Sequence, residues 1–574
     1  LDMCVEIVQD ASIGGGFSSM HSHTVRVKPH EELEVSHLFD VPHAHLWSPD
    51  TPHLYHAMLT ISENNKPIDV TTQTFGIRSI AFNSEQGFLL NGQPIKLNGG
   101  CLHHDNGILG AAAFDRAEER KAELMKAAGF NAVRTSHNPP SEAFLDACDR
   151  IGLLVIDEAF DGWRSAKNTY DYSTLIDEHW QADLSALVLR DRNHPSVFLW
   201  SIGNEVDYPN DPYSHPVLDG TTINQPMFGG YKPDAPDAMR IGKIAKRLSQ
   251  CVRSVDTSRP VTGALAGVVM SNQTEYPEAI DVVGYNYTEN RYDEDHKTYP
   301  GRIIYGSETH SSMAAWKAVR DKEHIFGQFV WTGTDYLGES GRWPSRGLHT
   351  GLLDFGSYKK PRGWFRASLW SDTPVTYIGT YPMRRGNHLS TDAPDLWNYE
   401  EGQKVRVVCY TNSPQARLLL NGKVVGELKP NDPQVGIIHW DINYEAGTLL
   451  CEGCDADGNK QSSYEIKTSG RPYQIKATLE DKGEDIAHVL IEVLDENGTL
   501  VKLADNEITC RIFGDARLLG LENSDNSDMS DHRDNRQRVF RGRLLAYVKL
   551  SKVGGLARMR FSSPLLKGCE LVLE

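Results

Sequence analysis

The run Ser196-Val197-Phe198-Leu199-Trp200-Ser201-Ile202, leading into Gly203-Asn204-Glu205, puts apolar side chains on both faces of an extended chain. A strand with no polar face cannot border water, so it belongs in a parallel sheet covered by helices. Residues 153–156 have the same character, and an alternation of strand and helix extends from there in both directions. Strands are expected at residues 94–97, 131–136, 153–156, 196–202, 260–264, 280–285, 302–306 and 327–331. Asp115, with Glu118 three residues on, has capping-box spacing as the N-cap of a helix that stops at Gly129. Ser141 caps a helix that ends at Gly152; residues 172–190 and 237–255 read as two more, and 364–369 as a closing one. Eight strands with crossover helices predict a central (β/α)8 TIM barrel over residues 81–372.

The flanks read as β. Val25-Arg26-Val27 and Glu32-Leu33-Glu34-Val35 alternate, and residues 53–61 form another strand candidate. Residues 1–80 are expected to form an Ig-like β-sandwich, incomplete at its start. After about residue 373 the helical period disappears. Residues 405–410 and 416–420 read as strands, with Asn421-Gly422 as a hairpin signal into Val424-Val425. An Ig-like β-sandwich at 373–470 and a C-terminal β-sandwich at 471–574 complete a multidomain architecture.

Composition narrows the function. At 574 residues the chain is too long for one core. Charged residues at 24% and hydrophobic residues at 39% are ordinary for an ordered soluble protein. The net charge of −18 argues against nucleic acid or a membrane surface as partner, because both call for a basic footprint. No apolar run reaches the roughly 18 residues of a membrane-crossing helix. The chain opens Leu1-Asp2-Met3-Cys4 with no signal-peptide pattern, and the missing initiator Met leads us to expect absent upstream residues. The compartment is therefore left open. Nine scattered cysteines, an odd number, do not make a disulfide framework. Cys451-Glu452-Gly453-Cys454 lacks the second pair of a zinc site, so two buried thiols are expected there.

Barrels of this kind carry their active sites at the C-terminal ends of the strands. Those ends hold His103-His104-Asp105, then Arg134-Thr135-Ser136-His137-Asn138, then Asp157-Glu158 and Asn204-Glu205. Later ends hold Asn286-Tyr287, Glu308-Thr309-His310, and Trp331 followed by Asp335. Glu205 and Glu308 follow strands four and seven, which lie nearly opposite, so their carboxyls could face each other. A retaining glycosidase needs two carboxyls about 5–5.5 Å apart, one protonated and one ionised. Arg134 could hold Glu308 anionic, Tyr287 could donate to it, and a less polar surround near Trp200 could keep Glu205 protonated. Each residue alone has a plainer reading. A strand-end Glu is usually solvated, a buried His is usually hydrogen-bonded, and a Trp usually fills core. Their joint placement is what favours chemistry.

The strings Arg192-Asn193-His194-Pro195-Ser196 and Trp200-Ser201-Ile202-Gly203-Asn204-Glu205 closely resemble the acid/base signature of glycoside hydrolase family 2. Asn131-Ala132-Val133-Arg134-Thr135-Ser136-His137-Asn138-Pro139 is similar to that family's strand-two motif. Leu46-Trp47-Ser48-Pro49 and Phe75-Gly76-Ile77-Arg78 look like its Ig-like domain, and Ile304-Tyr305-Gly306-Ser307-Glu308 and Phe329-Val330-Trp331 like its nucleophile and strand-eight segments. The resemblance implies a retaining double displacement on a terminal β-linked sugar of an oligosaccharide or polysaccharide. Glu205 would be acid/base and Glu308 nucleophile. Asn204 would hold the 2-hydroxyl and Tyr287 would bond the nucleophile. Arg134, His103 and His137 would line the sugar site, with Asp335 beside Trp331, which would stack on the sugar.

Two departures qualify the resemblance. The family usually begins with a jelly-roll domain, for which there is no room before the Ig-like segment. Some family β-galactosidases bind magnesium through residues after strand three, whereas Asp157 to Arg164 here offers carboxylates but no His; no metal and no cofactor are expected. Family β-glucuronidases carry an Asn-x-Lys pair where this chain has Leu348-His349-Thr350. Trp331-Thr332-Gly333-Thr334-Asp335-Tyr336 looks more like the β-galactosidase branch, which is the favoured reading, with β-mannosidase and β-glucuronidase as alternatives. From other classes, a non-catalytic carbohydrate-binding protein and a barrel metallohydrolase using His103, His104, Asp157 and His310 stay open, as does homo-oligomerisation.

Overall fold

The computed structural model describes residues 1–10, 17–207, 213–219, 230–383, 388–551 and 555–573. The chain divides into two compact units. Leu1–Gly99, Asn131–His310 and Ala314–Val330 form the first, and Gly100–Phe130, Ser311–Met313 and Trp331–Glu574 the second.

Eight strands close into a barrel: Leu97–Leu102, Ala132–Thr135, Leu154–Glu158, Val197–Asn204, Val261–Leu265, Val282–Asn286, Ile304–Thr309 and Ile325–Val330. We number them barrel strands one to eight. Strands two to eight are buried at every residue, as expected for a sheet that meets helices outside and packed side chains within. Helices Asp115–Ala127, Glu142–Ile151, Ile176–Asp191, Met239–Val255, Tyr292–Thr298, Met313–Arg320 and Pro361–Trp370 are interleaved with them. Ser141 caps its helix as expected, its side chain accepting from the Phe144 N–H, and Gly152 ends it at φ +78°. No described helix is long and apolar enough to cross a membrane.

Four expectations are corrected. The first barrel strand is Leu97–Leu102, beginning only at the last residue of the expected 94–97 segment. Pro94 has no N–H to give a central ladder and instead ends the hairpin strand Gln93–Pro94, which pairs with Gly87–Leu90. Phe88 of that hairpin packs 4.9 Å from Phe198. Asp115 is not the N-cap: Phe114 is, and Glu118 turns its buried carboxylate to the Asn106 amide. The helix expected at 172–190 is a 3-10 turn, Tyr172–Thr174, followed after Leu175 by Ile176–Asp191. Residues 25–27 and 32–35 form no strand, because the amino-terminal sheet is built in the order Ser18–Thr24, Asp2–Gln9, Tyr55–Glu63, Lys66–Phe75 without them.

The amino-terminal segment grips the barrel through specific bonds. Trp47 is fully buried and its indole donates to the Asp149 carbonyl at 2.8 Å. Arg78 donates to the carbonyls of Pro195 and Val197, at the start of barrel strand four. A Cβ at Gly76 would lie 2.7 Å from the Pro195 side chain, so only glycine permits the approach.

In the second unit, two sheets enclose one core that includes Trp397, Val407, Leu418, Trp440 and Leu449. Asn421 and Gly422, at φ +51° and +78°, turn Gln415–Leu420 into Lys423–Val424 as their sequence predicts. Cys451 is buried there beside Cys409. Two further four-stranded sheets enclose a core that includes Val489, Ile508, Leu544 and Phe561.

Candidate active site

Barrel strands two, three, four, six and seven deliver polar side chains to one connected cluster. At its centre is Arg134, whose side chain is fully buried. Its Nη1 donates to Glu308 Oε1 at 2.9 Å, and its Nη2 donates to Glu158 at 2.8 Å and to Asn204 Oδ1 at 2.9 Å. A planar guanidinium is suited to this because it can meet several oxygens with rigid donors. Asn286 Nδ2 donates to Asn204 Oδ1 at 3.2 Å and to Glu205 Oε1 at 3.0 Å, while Ser307 Oγ donates to Asn286 Oδ1 at 2.6 Å. Glu205 and Glu308 are thus linked through Asn286, Asn204 and Arg134.

His137 is fixed as well. Its Nδ1 lies 2.6 Å from Glu158 Oε1 and its Nε2 lies 3.2 Å from Asn204 Nδ2. Ser201 Oγ donates to Glu158 Oε2 at 2.6 Å. Burial alone would raise the Glu158 carboxyl, but Arg134, His137 and Ser201 outweigh it and hold it down at about 2. Glu158 is a permanent anion that orients the centre.

Glu205 behaves oppositely. Burial, and next the charge of Glu308, push its carboxyl up to about 8; the Asn286 amide and Lys167 oppose the rise only partly. The expected apolar contribution from Trp200 is corrected. That indole points to the helix side and donates to Asp256 Oδ2 at 3.0 Å, because neighbouring side chains on a strand alternate between faces. Glu205 and Tyr287 sit at φ +43° and +54°, left-handed backbone that costs a non-glycine residue about 1–3 kcal/mol. Both immediately follow a barrel strand. The Tyr287 N–H donates to the Glu308 carbonyl at 2.9 Å, and its ring lies 4.8 Å from His310.

Three expected sugar contacts, His103, Trp331 and Asp335, belong to the second unit. His103 stacks on Tyr336 at 3.7 Å with Trp331 edge-on at 5.3 Å. Asp335 accepts two 3.0 Å bonds from Lys360 Nζ and the Gly351 N–H at 2.8 Å; burial raises its carboxyl to about 7 against that pairing. A cavity of about 560 Å³ in this unit is lined by Asp335, His349, Lys360 and Asn526 among others.

Two of the three carboxylates at and after the end of strand three are paired with internal cations. Asp157 faces Asp191 on the helix side, Glu158 is held by Arg134, and Asp161 is held by Lys167. Among the described residues, the one group of three neighbouring metal-type ligands is Asp146, Asp149 and His194, where His194 Nδ1 and Asp149 satisfy each other at 2.6 Å.

The sequence places Glu158 and Asn286 at strand ends and Ser201 within the family signature, but assigns none of them a role. Lys167 carries no signal.

Family models agree with this architecture. The model described as the glycosyl hydrolases family 2 TIM barrel domain matches residues 83–300. The glycosyl hydrolases family 2 model matches 8–78, and glycoside hydrolase family 2 C-terminal domain 5 matches 474–572. A domain of unknown function matches 402–462. The β-galactosidase BoGH2A of Bacteroides ovatus is 30% identical over 95% of this chain and 69% of its own length. This chain belongs to glycoside hydrolase family 2. A β-glucuronidase of Formosa agariphila is 24% identical over 90% of the chain, which spans 51% of that relative's length. A solved family 2 member from Bacteroides cellulosilyticus superposes with a TM-score of 0.85 at 34% identity, covering 100% of this chain and 74% of that one. As a glycoside hydrolase, the chain takes a carbohydrate substrate.

Proposed function

We propose that this family 2 hydrolase is a retaining exo-β-glycosidase that removes terminal β-linked galactose, with Glu308 as nucleophile and Glu205 as acid/base. The observation that carries the reading is the unequal treatment of the two carboxyls. Glu308 accepts from Arg134 at 2.9 Å, whereas Glu205 is half-buried and its carboxyl is pushed up to about 8. One group is suited to attack and the other to donate, the division that double displacement requires.

In the first half-reaction Glu308 attacks the anomeric carbon while Glu205 protonates the departing oxygen, leaving a glycosyl–enzyme ester. In the second, Glu205, now anionic, takes a proton from water, and the water displaces Glu308. Asn204, fixed by Arg134 and Asn286, is available to the sugar's 2-hydroxyl, and His137 lines the same cluster.

Galactose is favoured by the likeness to BoGH2A and by the lack of an Asn-x-Lys pair at 348–350. A panel of nitrophenyl β-galactoside, β-glucuronide, β-mannoside and β-glucoside tests the sugar, and proton NMR of the first-formed anomer tests the stereochemistry. Fastest turnover of the galactoside with initial β-anomer release is expected. An α-anomer appearing first excludes the retaining mechanism, and a dominant glucuronide rate reassigns the sugar.

A further inference from the structure

Lys167 lies on the loop after barrel strand three. Its ammonium makes three bonds of 2.8 Å, to Asp161 Oδ1, to the Asp161 carbonyl and to the Asn204 carbonyl. Three oxygens match the three donors of an ammonium, which is thereby saturated. The side chain is only 11% exposed. The loop is built to hold it there: Asp171 Oδ2 accepts the N–H groups of Lys167 and Asn168 at 2.7 and 3.0 Å, and Asp171 Oδ1 caps the following turn through the Ser173 N–H. Asp161 Oδ1 also accepts from Asn204 Nδ2 at 3.2 Å, so Asn204 is held by both its side chain and its carbonyl. That carbonyl belongs to the peptide leading into Glu205, which stands in left-handed backbone.

We infer that Lys167 is a positioning residue for the proposed acid/base, an internal cation that fixes the Asn204–Glu205 peptide next to Glu205. The inference rests on the role proposed for Glu205. The ionic groups acting on Glu205 are Glu308 and Asp207, which disfavour its charged form, and Lys167, which favours it; the Asn286 amide also favours it. Asp161 is ionised: burial opposes this, but His137 and Lys167 outweigh it and lower its carboxyl. Lys167 therefore keeps Glu205 from holding its proton too tightly to give it up.

The test uses the full chain and a nitrophenyl glycoside that the wild type hydrolyses. Lys167→Met keeps the bulk of the side chain and removes its charge. The expected result is a kcat roughly 10–100-fold lower with KM nearly unchanged, and an alkaline limb of the pH profile moved up by about half a unit to one unit. Lys167→Ala opens the three-oxygen cage, and added propylammonium is expected to restore part of its kcat, whereas tetramethylammonium, which has no N–H to donate, is not. A loss of activity with an unmoved alkaline limb and no propylammonium rescue would make Lys167 a loop anchor only and overturn the inference. Glu205→Gln separates the two readings: if the alkaline limb survives in that variant, the role of Glu205 fails first.

Discussion

Asn286 Nδ2 lies 3.0 Å from Glu205 Oε1 and 3.2 Å from Asn204 Oδ1, so one amide ties the proposed proton donor to the residue before it. The amide donates to the carboxylate form and pulls the Glu205 carboxyl down against burial. Asn286→Ala should therefore raise it further. The expected pH profile of kcat/KM has its alkaline limb shifted upward, with a rate about 10-fold lower at neutral pH as Glu205 and Asn204 lose alignment. A profile that moves downward contradicts the assigned hydrogen bond.

Removing the proposed acid should matter in proportion to how much help the leaving group needs. Glu205→Ala is expected to cost aryl glycosides with acidic phenols about 10-fold and glycosides of simple alcohols about 10³-fold or more. Equal losses across a leaving-group series would argue that Glu205 is not the donor.

Arg134 cannot be simplified. Its guanidinium serves Glu158, Glu308 and Asn204 together, and a lysine ammonium cannot reproduce that fork. Arg134→Lys should fold yet lose about 10³-fold or more in kcat/KM. Arg134→Met, which strands two buried carboxylates, is expected to lose roughly 3–5 kcal/mol in denaturant titrations as well. A Lys variant with near wild-type kcat/KM would remove Arg134 from the mechanism.

Glu205 should also leave a mark on stability. Its folded carboxyl is raised to about 8, above the unfolded value of about 4.3. Between those values the native state binds more protons than the unfolded state, so this group's contribution to stability falls as pH rises. Glu205→Gln removes the burden of charging a half-buried acid. Its Tm should match wild type near pH 4 and exceed it by about 1–3 °C at pH 8. A lower Tm at pH 8 than wild type would mean that Glu205 is stabilised as an anion.

The barrel was legible because its strands are apolar on both faces, a pattern few other sheets permit. Glu205, Glu308, Arg134, His137 and Asn204 were legible because each stands at or just past the C-terminal end of a strand, and the structure joins them in one network. What escaped had physical causes. The left-handed φ of Glu205 and Tyr287 is a local strain that no side-chain pattern records. Glu158 and Asp157 adjoin in sequence, yet one faces Arg134 and the other the helix side, a choice that depends on strand register. Lys167 lies in a loop without periodicity, and only its three oxygen partners distinguish it. Pro94 misled because a short extended run does not reveal which sheet it joins.

Arg78 reaches from the amino-terminal segment to the carbonyls of Pro195 and Val197, at the start of the strand that ends at Asn204 beside Glu205. Cutting the gene back to the barrel would therefore not yield a minimal catalyst. It would uncover backbone oxygens, and the Asp149 carbonyl that Trp47 caps, near one end of a strand whose other end leads into the proposed acid. Any shortened expression clone should retain the Trp47 and Arg78 anchors.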